Sequence, residues 1–575
     1  MAVKDIVVRV AGEGGEGVIS CGHILGQAAA RASLEVFTFR TFPAEIKGGL
    51  AMIQVRVSSK PIHSLGQYAD LLIAFNQAAF DVHGNNLSKK GLLLYDPKFV
   101  KIPEDYPFRT YPVPINEISM EQTGAKRGKN LVALAALIKV LNIPKESTRE
   151  LVVRKFKKKG EEVLNTNLKS FDAGYEAVGN DFDFSDFQLE KIKDRSNDVI
   201  ISGNQAVGMG TIAAGCRYVA GYPITPATSI FEFLSAHLPN LGGTVLQFED
   251  EIASIASLLG ASFAGQKVMT ATSGPGLALM GELLNMSAMV ELPLVVVDVQ
   301  RGGPSTGLPT KTEQSDLAFA VYGAAGESPR AVLAPTTIED CFYQTIEAFN
   351  IAETYQIPVI VLTDQSMAMR TKTVPIPDFE SIMLRERALV PADQVEGFHR
   401  FEDTPSGISP MTIPGTPDGM YLATGLEHNE KGAPNYTPAV HEKMMAKRFR
   451  KLDTLAKELD TRQDFTMIMP EDAEVGILSW GATEGPITEA LQRFEDENGT
   501  KIAHMQPKVL WPFARKHVNN FIKPLKKVIV FEENFTGQYA TLLRAHFDVD
   551  PISVTKCQGI PFTAEEVYDA LKEHV

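Results

Sequence analysis

Four polar side chains in the middle of the chain follow predicted strands, where they could act together. Thr225 lies in a Gly-Tyr-Pro-Ile-Thr-Pro string, Glu251 follows an apolar run, and Arg301 follows a second run of Val and Leu. Thr310 ends the Gly-rich loop that begins at Arg301. In an open parallel sheet the carboxyl ends of the strands form one crevice, so these groups are expected to meet there. A guanidinium and hydroxyls suit a small molecule that carries a carboxylate.

The local sequence gives each of these residues a conformation suited to a site, and also an ordinary alternative. Pro223 and Pro226 hold Thr225 in a rigid, extended turn. Glu251 opens a helix of small residues, against which a flat ring could lie. Taken singly, Thr225 could cap a helix, Glu251 could complement a helix dipole, and Arg301 could form a surface ion pair. Their common position at successive strand ends favours a site.

Apolar runs that alternate with helical patterns predict an α/β protein with three α/β domains and mainly parallel sheets. We expect a first domain over 1–180, a central domain over 199–370 that holds the four polar residues, and a last domain over 471–575. The run at Pro293–Val299 is interrupted only by Asp298, as expected for a strand of a sheet that is covered on both faces.

Two stretches connect these domains. Residues 180–198 are polar and charged, which indicates a linker. Residues 371–470 are rich in Pro and Gly over a length that exceeds a simple connection. This second stretch is open to two interpretations: a lid or subunit-contacting excursion, or a surface linker.

A glycine-rich turn, Gly12–Gly17, follows the first predicted strand and precedes a helical pattern. Such a context lets backbone N–H groups approach a phosphate, although a plain tight turn fits equally well. An NAD site needs an acid at the end of the next strand, and Arg40 stands there instead. NAD binding is therefore disfavoured, whereas an NADP-dependent dehydrogenase that uses Arg40 for a 2′-phosphate stays open.

Composition argues against several classes of function. The formal net charge of -14 disfavours a nucleic-acid-binding surface. The sequence shows no secretion signal and no long apolar run, which predicts a cytoplasmic protein that does not enter a membrane. The cysteines, at positions 21, 216, 341 and 557, are far apart, so the chain itself is not expected to bind an iron–sulfur cluster or another metal.

The strings of the central domain resemble those of one family. Gly221–Pro226 with Glu251, Thr272–Gly276 and Arg301–Thr310 are similar to the α subunits of 2-oxoacid:ferredoxin oxidoreductases, above all those acting on 2-oxoglutarate. The N-terminal domain resembles the family's γ unit, fused in front. The resemblance implies a central domain of the thiamine-diphosphate, pyrimidine-binding type and a last domain like the C-terminal unit of transketolase.

The resemblance implies that the central domain holds the pyrimidine half of thiamine diphosphate. Glu251 is the implied hydrogen-bond partner of the aminopyrimidine ring, with Glu249 as a rival. Pro223 and Ile224 are implied to lie against the cofactor. Glu251, together with Thr225, is the implied catalytic pair.

The resemblance further implies the reaction and its substrate contacts. Thr225, Arg301 and Thr310 are implied to bind the keto and carboxylate oxygens of a 2-oxoacid. Oxidative decarboxylation of 2-oxoglutarate with coenzyme A would give succinyl-CoA, carbon dioxide and reduced ferredoxin, or run in reverse. Pyruvate and branched-chain 2-oxoacids stay open as substrates, and a non-catalytic scaffold subunit stays open as a different class.

Some parts that this chemistry needs are missing from the chain. No Gly-Asp-Gly string and no set of cluster-binding cysteines occur. The resemblance therefore implies that Mg²⁺ and a [4Fe-4S] cluster belong to a β subunit, with ferredoxin as a further partner and an (αβ)₂ assembly. Coenzyme A is the implied co-substrate, with Gly12–Gly17 as one place that could receive it.

Overall fold

The computed structural model describes residues 4–41, 49–124, 128–190 and 198–575. These residues form three β-sheets with helices packed against them, so the predicted α/β fold is confirmed. Parallel pairings predominate in the second and third sheets, whereas the first sheet is mixed.

The strands are numbered in chain order. They are β1 Asp5–Glu13, β2 Glu35–Thr41, β3 Leu50–Ser58, β4 Ala69–Ala74, β5 Leu87–Tyr95, β6 Arg109–Pro112, β7 Asp198–Ser202, β8 Tyr218–Gly221, β9 Thr244–Gln247, β10 Val268–Thr272, β11 Leu294–Gln300, β12 Ala331–Leu333, β13 Pro358–Asp364, β14 Thr371–Pro375, β15 Phe465–Ile468, β16 Val475–Ser479, β17 Ala503–Pro507, β18 Val509–Trp511, β19 Lys527–Glu532 and β20 Ile552–Thr555.

The α-helices are numbered in the same way. They are α1 Val18–Arg31, α2 Gln77–His83, α3 Ile115–Thr123, α4 Lys129–Val140, α5 Lys145–Phe156, α6 Glu161–Glu176, α7 Gly203–Ala213, α8 Thr228–His237, α9 Glu251–Phe263, α10 Gly274–Leu279, α11 Gly281–Met289, α12 Leu317–Tyr322, α13 Ile338–Tyr355, α14 Gln365–Met369, α15 Pro438–Leu459, α16 Glu484–Asn498, α17 Arg515–Ile522, α18 Gln538–His546 and α19 Ala564–His574. No described helix is both long enough and apolar enough to cross a bilayer.

The first sheet has the order β6-β5-β4-β1-β3-β2-β14-β7. Its last two strands come from beyond the N-terminal 180 residues, because β7 and β14 pair with each other and β14 pairs with β2. Side chains reinforce this join: the backbone N–H of Val36 donates to the hydroxyl of Thr373 at 3.0 Å. The two chain segments therefore share one sheet.

The same topology bears on the NADP interpretation. In a dinucleotide-binding fold the strand after the first helix lies parallel to and beside the first strand. Here β3 lies between β1 and β2 and runs antiparallel to both. Arg40, at the end of β2, lies 3.1 Å from His23 and donates to the sulfur of Met369. The strand order thus does not match that of a dinucleotide site.

The central sheet has the order β18-β12-β13-β11-β10-β8-β9 and is parallel except for β18. Every residue of β11 is buried, as predicted for a strand covered on both faces. Because β8, β9, β10 and β11 are parallel neighbours, the loops that follow them lie along one edge of the sheet. This edge holds the residues that the sequence singled out.

The third sheet has the order β15-β17-β16-β19-β20 and is parallel except for β15. Gln314, in the loop after β11, joins it to the central unit. The side chain of Gln314 donates to the carbonyl of Trp480 at 3.0 Å and accepts from the N–H of Glu533 at 2.9 Å. The C-terminal unit therefore docks beside the same edge of the central sheet.

Most of 376–437 is loop, and the long helix α15 follows it. A buried ion pair between Arg387 and Glu353, at 2.6 Å, fixes the loop to α13. Lys447 and Lys451 of α15 both reach the fully buried carboxylate of Glu291, at 2.7 and 2.6 Å. The segment is thus pinned to the central unit, and its role as a lid or a linker stays a prediction.

Candidate active site

Glu251 begins helix α9, directly after the strand end of β9. Asp250 caps the helix by accepting from the N–H of Ala253 at 2.7 Å. Glu251 is only 5% exposed, and no described residue donates a hydrogen bond to its carboxylate. Gly276 lies so close that a Cβ there would stand 2.6 Å from Glu251 Oε1. A buried acceptor without a donor is costly unless a ligand supplies one.

The loop after β8 places Pro223, Ile224 and Thr225 beside this helix start. The N–H of Phe248 donates to the carbonyl of Gly221 at 3.0 Å, which ties the ends of β8 and β9 together. The Thr225–Pro226 peptide bond is cis. All three loop residues are partly buried, and no described residue hydrogen-bonds the hydroxyl of Thr225.

Arg301 follows β11 and reaches back across the sheet edge. Its Nη1 donates to the carbonyl of Thr225 at 2.7 Å, although β10 lies between β11 and β8. The side chain is buried, and its Nε has no hydrogen-bond partner in the part of the chain that the structure describes. The guanidinium therefore retains donors for a carboxylate.

The loop after Arg301 folds back on itself. The N–H of Gly302 donates to the carbonyl of Lys311 at 3.0 Å, and the N–H of Leu308 donates to the carbonyl of Gly302 at 2.8 Å. Thr310 is buried at the base of this loop, where the neighbouring Lys311 pairs with Gly302. The structure thus joins Arg301 to the Thr225 loop and places Thr310 in the same loop as Arg301, while Glu251 follows β9, the strand beside β8 on the same edge.

Two carboxyl groups lie close to Arg301. Asp298 is fully buried on β11, and Asp316, at the end of the loop that Arg301 begins, is partly buried. Burial, above all, raises the pKa of both groups, and their mutual proximity adds to the effect at Asp298. Asp298 is recognisable in the sequence as the polar break in an apolar run, but no local pattern links it to Asp316.

A cavity of about 450 Å³ opens beside these groups, between the central and C-terminal units. Arg301, Asp316 and Glu313 line it from the loop after β11, and Phe535 and Cys557 line it from the C-terminal unit. Glu313 accepts from the thiol of Cys557 at 3.3 Å. Sequence reasoning did not anticipate a contribution of the last domain to this region.

The glycine-rich turn forms a second concave region. Gly17, at a φ of 83°, begins α1, and a cavity of about 760 Å³ next to it is lined by Gly15, Lys129 and Asn130. Lys129 forms an ion pair with Glu16. The cavity is thus lined by two lysines, Lys129 and Lys159, and by two acids, Glu16 and Glu162, next to the start of α1, where a helix favours an anion.

The described residues contain no group of three or more His, Cys, Asp or Glu that could hold a metal ion. Cys21, Cys216 and Cys341 are buried and Cys557 is exposed, all four as free thiols.

Three family models match the chain. "Pyruvate ferredoxin/flavodoxin oxidoreductase" matches residues 7–177, the thiamine-diphosphate-binding model of pyruvate flavodoxin/ferredoxin oxidoreductase matches 209–447, and "Pyruvate:ferredoxin oxidoreductase core domain II" matches 473–567. Together they span the three units described above.

Relatives resemble the chain over most of its length. It is 34% identical to the 2-oxoglutarate oxidoreductase subunit KorA of Mycobacterium tuberculosis, over 98% of this chain and 91% of the relative. It is 30% identical to the 2-oxoacid:ferredoxin oxidoreductase 2 subunit alpha of Aeropyrum pernix, over 99% and 97%. The 2-oxoglutarate synthase subunit KorA of Methanothermobacter marburgensis is 37% identical over 61% of this chain and 91% of its own length.

A solved structure is also similar throughout. The 2-oxoglutarate:ferredoxin oxidoreductase of Magnetococcus marinus, with 2-oxoglutarate, coenzyme A and succinyl-CoA bound, superposes with a TM-score of 0.92 at 46% identity and covers 99% of both chains. The chain belongs to the 2-oxoacid:ferredoxin oxidoreductase family, as an α subunit.

Proposed function

We propose that this chain is the α subunit of a thiamine-dependent 2-oxoglutarate:ferredoxin oxidoreductase. The reaction converts 2-oxoglutarate, coenzyme A and two oxidised ferredoxins to succinyl-CoA, carbon dioxide, two reduced ferredoxins and a proton, or runs in the opposite direction. The observation that carries the proposal is the buried carboxylate of Glu251, which has no donor among the described residues and is held against Gly276.

The surroundings of Glu251 fit the pyrimidine ring of thiamine diphosphate. The carboxylate can accept a hydrogen bond from the edge of the ring, and Gly276 leaves the carboxylate room because it has no side chain. Pro223 and Ile224 offer partly buried apolar surface at the neighbouring strand end. When bound, the cofactor supplies the carbon nucleophile and the electron sink that decarboxylation needs. Glu251 holds a proton at the ring edge and so sets the protonation state of the ring.

Arg301, Thr225 and Thr310 are proposed to hold the 2-oxoacid. The guanidinium binds the carboxylate of the substrate and is itself oriented by its hydrogen bond to the carbonyl of Thr225. The hydroxyls of Thr225 and Thr310, which no described residue occupies, donate to the keto or carboxylate oxygens. An arginine fixed in this way orients the substrate without a further entropic cost on binding.

Coenzyme A is assigned to the N-terminal unit, and the metal ion and the cluster are assigned to a partner subunit. Coenzyme A is proposed as the acyl acceptor, with the cavity at Gly12–Gly17 as the candidate for its phosphates. A β subunit is proposed to hold the diphosphate through Mg²⁺, to carry a [4Fe-4S] cluster and to deliver electrons to ferredoxin, within an (αβ)₂ assembly. A cytoplasmic location is part of the proposal.

Replacing Glu251 by Gln tests the central assignment. In the complex with the partner subunit, E251Q is expected to lower turnover by about 10²–10⁴-fold, because an amide cannot hold the ring proton as the carboxylate does. Assembly should be unchanged by size-exclusion chromatography. The matched control is E249Q, since Glu249 is exposed only two residues away. Normal turnover by E251Q, or an equal loss in E249Q, would contradict the assignment.

An assay of the isolated chain tests whether the reaction needs the proposed β subunit. We expect the purified full-length polypeptide to show no 2-oxoacid-dependent reduction of an artificial electron acceptor, because the proposed holders of Mg²⁺ and of the cluster are on a partner. Co-purification with that partner should restore activity, together with bound thiamine and iron. The same preparation should prefer 2-oxoglutarate to pyruvate and branched-chain 2-oxoacids. Turnover by the chain alone would refute the proposed β subunit roles.

A further inference from the structure

The carboxyl pair behind Arg301 has no role in the function proposed above. Three carboxylate oxygens of this pair are buried: both oxygens of Asp298, and Oδ2 of Asp316. None of them accepts a hydrogen bond from an N–H or a hydroxyl group in the described part of the chain. Two facing carboxyls form a hydrogen bond only if one of them carries a proton. Buried acceptors are otherwise paired in folded proteins, so these atoms call for an explanation.

The backbone holds the pair in place from several sides. The side-chain oxygen of Gln300 accepts from the N–H of Asp316 at 3.0 Å, and the Gln300 amide donates to the carbonyl of Thr363 at 3.1 Å. On the other side Asp316 packs on Gly274, where a Cβ would stand 2.7 Å from Oδ2. Asp298 cannot move because β11 is buried along its whole length.

The charged and titratable groups near the pair come from three elements. Arg301 is the adjacent cation, and Glu313 is a further acid in the same loop. Cys557, a thiol, lines the cavity from the C-terminal unit, and Glu251 on α9 lies behind α10 at Gly276. Among these described groups Arg301 is the one cation and stands beside two further acids, so one more negative charge on the pair is unfavourable.

We propose that Asp298 and Asp316 share one proton and thereby set the net charge that Arg301 presents to the anionic substrate. With the proton, the pair carries one negative charge, which Arg301 balances. Without it, the pair would carry two and would repel the carboxylate that Arg301 is to bind. Both residues are positioning residues in this role, and the inference rests on the proposed function of Arg301.

The shared proton couples substrate binding to pH. A bound carboxylate is a like charge beside the pair, and it raises the pKa of the pair in the complex. Burial raises the pKa of Asp298 well above its ordinary range and that of Asp316 to about 6, so Asp316 ionises first and Asp298 keeps the shared proton. Binding of a 2-oxoacid therefore takes up a proton at pH values above the pKa of that shared proton, and the affinity for substrate falls as pH rises through it.

The test is the pH dependence of KM for 2-oxoglutarate in the complex with the partner subunit. Over the pH range in which the pair loses its shared proton, followed as the loss of the protonated-carboxyl infrared band, KM of the wild type is expected to rise about tenfold, because a like charge beside the pair raises the pKa of that proton. In D316N, with one carboxyl beside an amide, KM should stay within about twofold over this range. D298N serves as the second variant should D316N not assemble.

Further variants separate this inference from the function on which it rests. E282Q, an exposed acid on α11, should keep the wild-type slope. If R301K leaves KM unchanged, the substrate contact itself is wrong. If R301K raises KM while D316N keeps the wild-type slope, only the shared proton is wrong.

A spectroscopic readout does not depend on turnover. The infrared band of protonated carboxyls in the complex at pH 7 should be weaker in both D298N and D316N than in the wild type, by the intensity of one carboxyl, because a single carboxylate beside Arg301 and an amide needs no proton. Equal band intensity in the wild type and in either variant would overturn the proposal.

Discussion

At the scale of single residues, the site depends on a carboxylate that has no hydrogen-bond donor in the described part of the chain and on a glycine that leaves it space. Glu251 is useful because no protein group occupies its carboxylate, and Gly276 is required because any side chain there would enter the space of that carboxylate. Arg301 differs, since the carbonyl of Thr225 already fixes one of its nitrogens. The carboxylate of Glu251 is free to accept a hydrogen bond from a ligand, whereas the guanidinium of Arg301 is already oriented to bind one.

Gly276→Ala is expected to disturb Glu251 without a change of charge. The new methyl group would overlap Thr272 Oγ1 and stand 2.6 Å from Glu251 Oε1, so the carboxylate must shift. We expect thiamine diphosphate affinity to fall by about 10-fold or more, because a repositioned acceptor loses roughly one charge-assisted hydrogen bond. Calorimetric titration of the complex measures this. An unchanged affinity for thiamine diphosphate would show that Gly276 is not needed to keep the carboxylate of Glu251 in position.

Gly260 supplies the matched control. It lies in the interior of α9, and a Cβ there would meet no atom within 4 Å. Gly260→Ala should leave cofactor affinity unchanged and stabilise the helix by about 0.5–1 kcal/mol, because Ala loses less backbone entropy than Gly in a helix.

At the scale of elements, α15 and the loop before it are held by buried charge. Burial alone would raise the pKa of Glu291, but Lys451, Lys447 and Arg400 outweigh this and hold it well below its usual range. Arg400 also donates to the carbonyl of Glu291 at 2.6 Å. The cluster thus joins α15, the loop and the end of α11 in one network.

Glu291→Gln is expected to destabilise the protein by roughly 3–5 kcal/mol, because it leaves buried cations without their counter-charge. Since the native pKa is depressed, the stabilisation by Glu291 is fully present above its ordinary value of about 4.3 and is lost as pH falls below that. Urea unfolding at pH 7 and at pH 4 measures both effects. An equal unfolding midpoint for wild type and variant at pH 7 would contradict the account.

Glu474→Gln is the control for this prediction. Glu474 also pairs with a lysine, Lys526, but the two side chains are 63% and 70% exposed. Water screens such a pair, so the loss should stay below about 1 kcal/mol.

At the scale of the whole molecule, the N-terminal and C-terminal units contact each other directly. Glu489 on α16 accepts from Arg56 Nη1 at 2.7 Å and from the hydroxyl of Ser64 at 2.6 Å. The N–H of His63 donates to the same carboxylate at 3.2 Å. The carboxylate of Glu489 therefore accepts several hydrogen bonds from the N-terminal unit.

Glu489→Ala should loosen this contact. Without the carboxylate, we expect the amides of His63 and Ser64 to exchange with solvent roughly tenfold faster, since about one charge-assisted hydrogen bond protects each of them. Hydrogen exchange followed by mass spectrometry reports on this segment. Glu497→Ala, on the same helix but paired within the C-terminal unit, should leave it unchanged. Equal amide exchange at His63 and Ser64 in both variants would contradict the role of Glu489 in holding the N-terminal and C-terminal units together.

How far the sequence predicts this molecule depends on the range of the contact. Apolar runs and glycine turns predict β1, β10 and β11 well, because period and turn chemistry are local. The strand Tyr218–Gly221 is hard to predict, because four residues carry little periodic signal. The pairing of β14 with β2, and that of Asp298 with Asp316, arise from distant segments, and no local pattern encodes either. The roles of Glu251 and Arg301 stay predictions drawn from their strand-end positions.

The join between β2 and β14 has a consequence for how such a protein can be divided. The N-terminal unit ends its sheet with two strands that the chain supplies only after residue 198. A polypeptide that began there, translated without the preceding 197 residues, would present the free edge of β14 to solvent. That edge would accept a separately made N-terminal piece by simple strand addition, so covalent continuity is not what keeps the two halves in register.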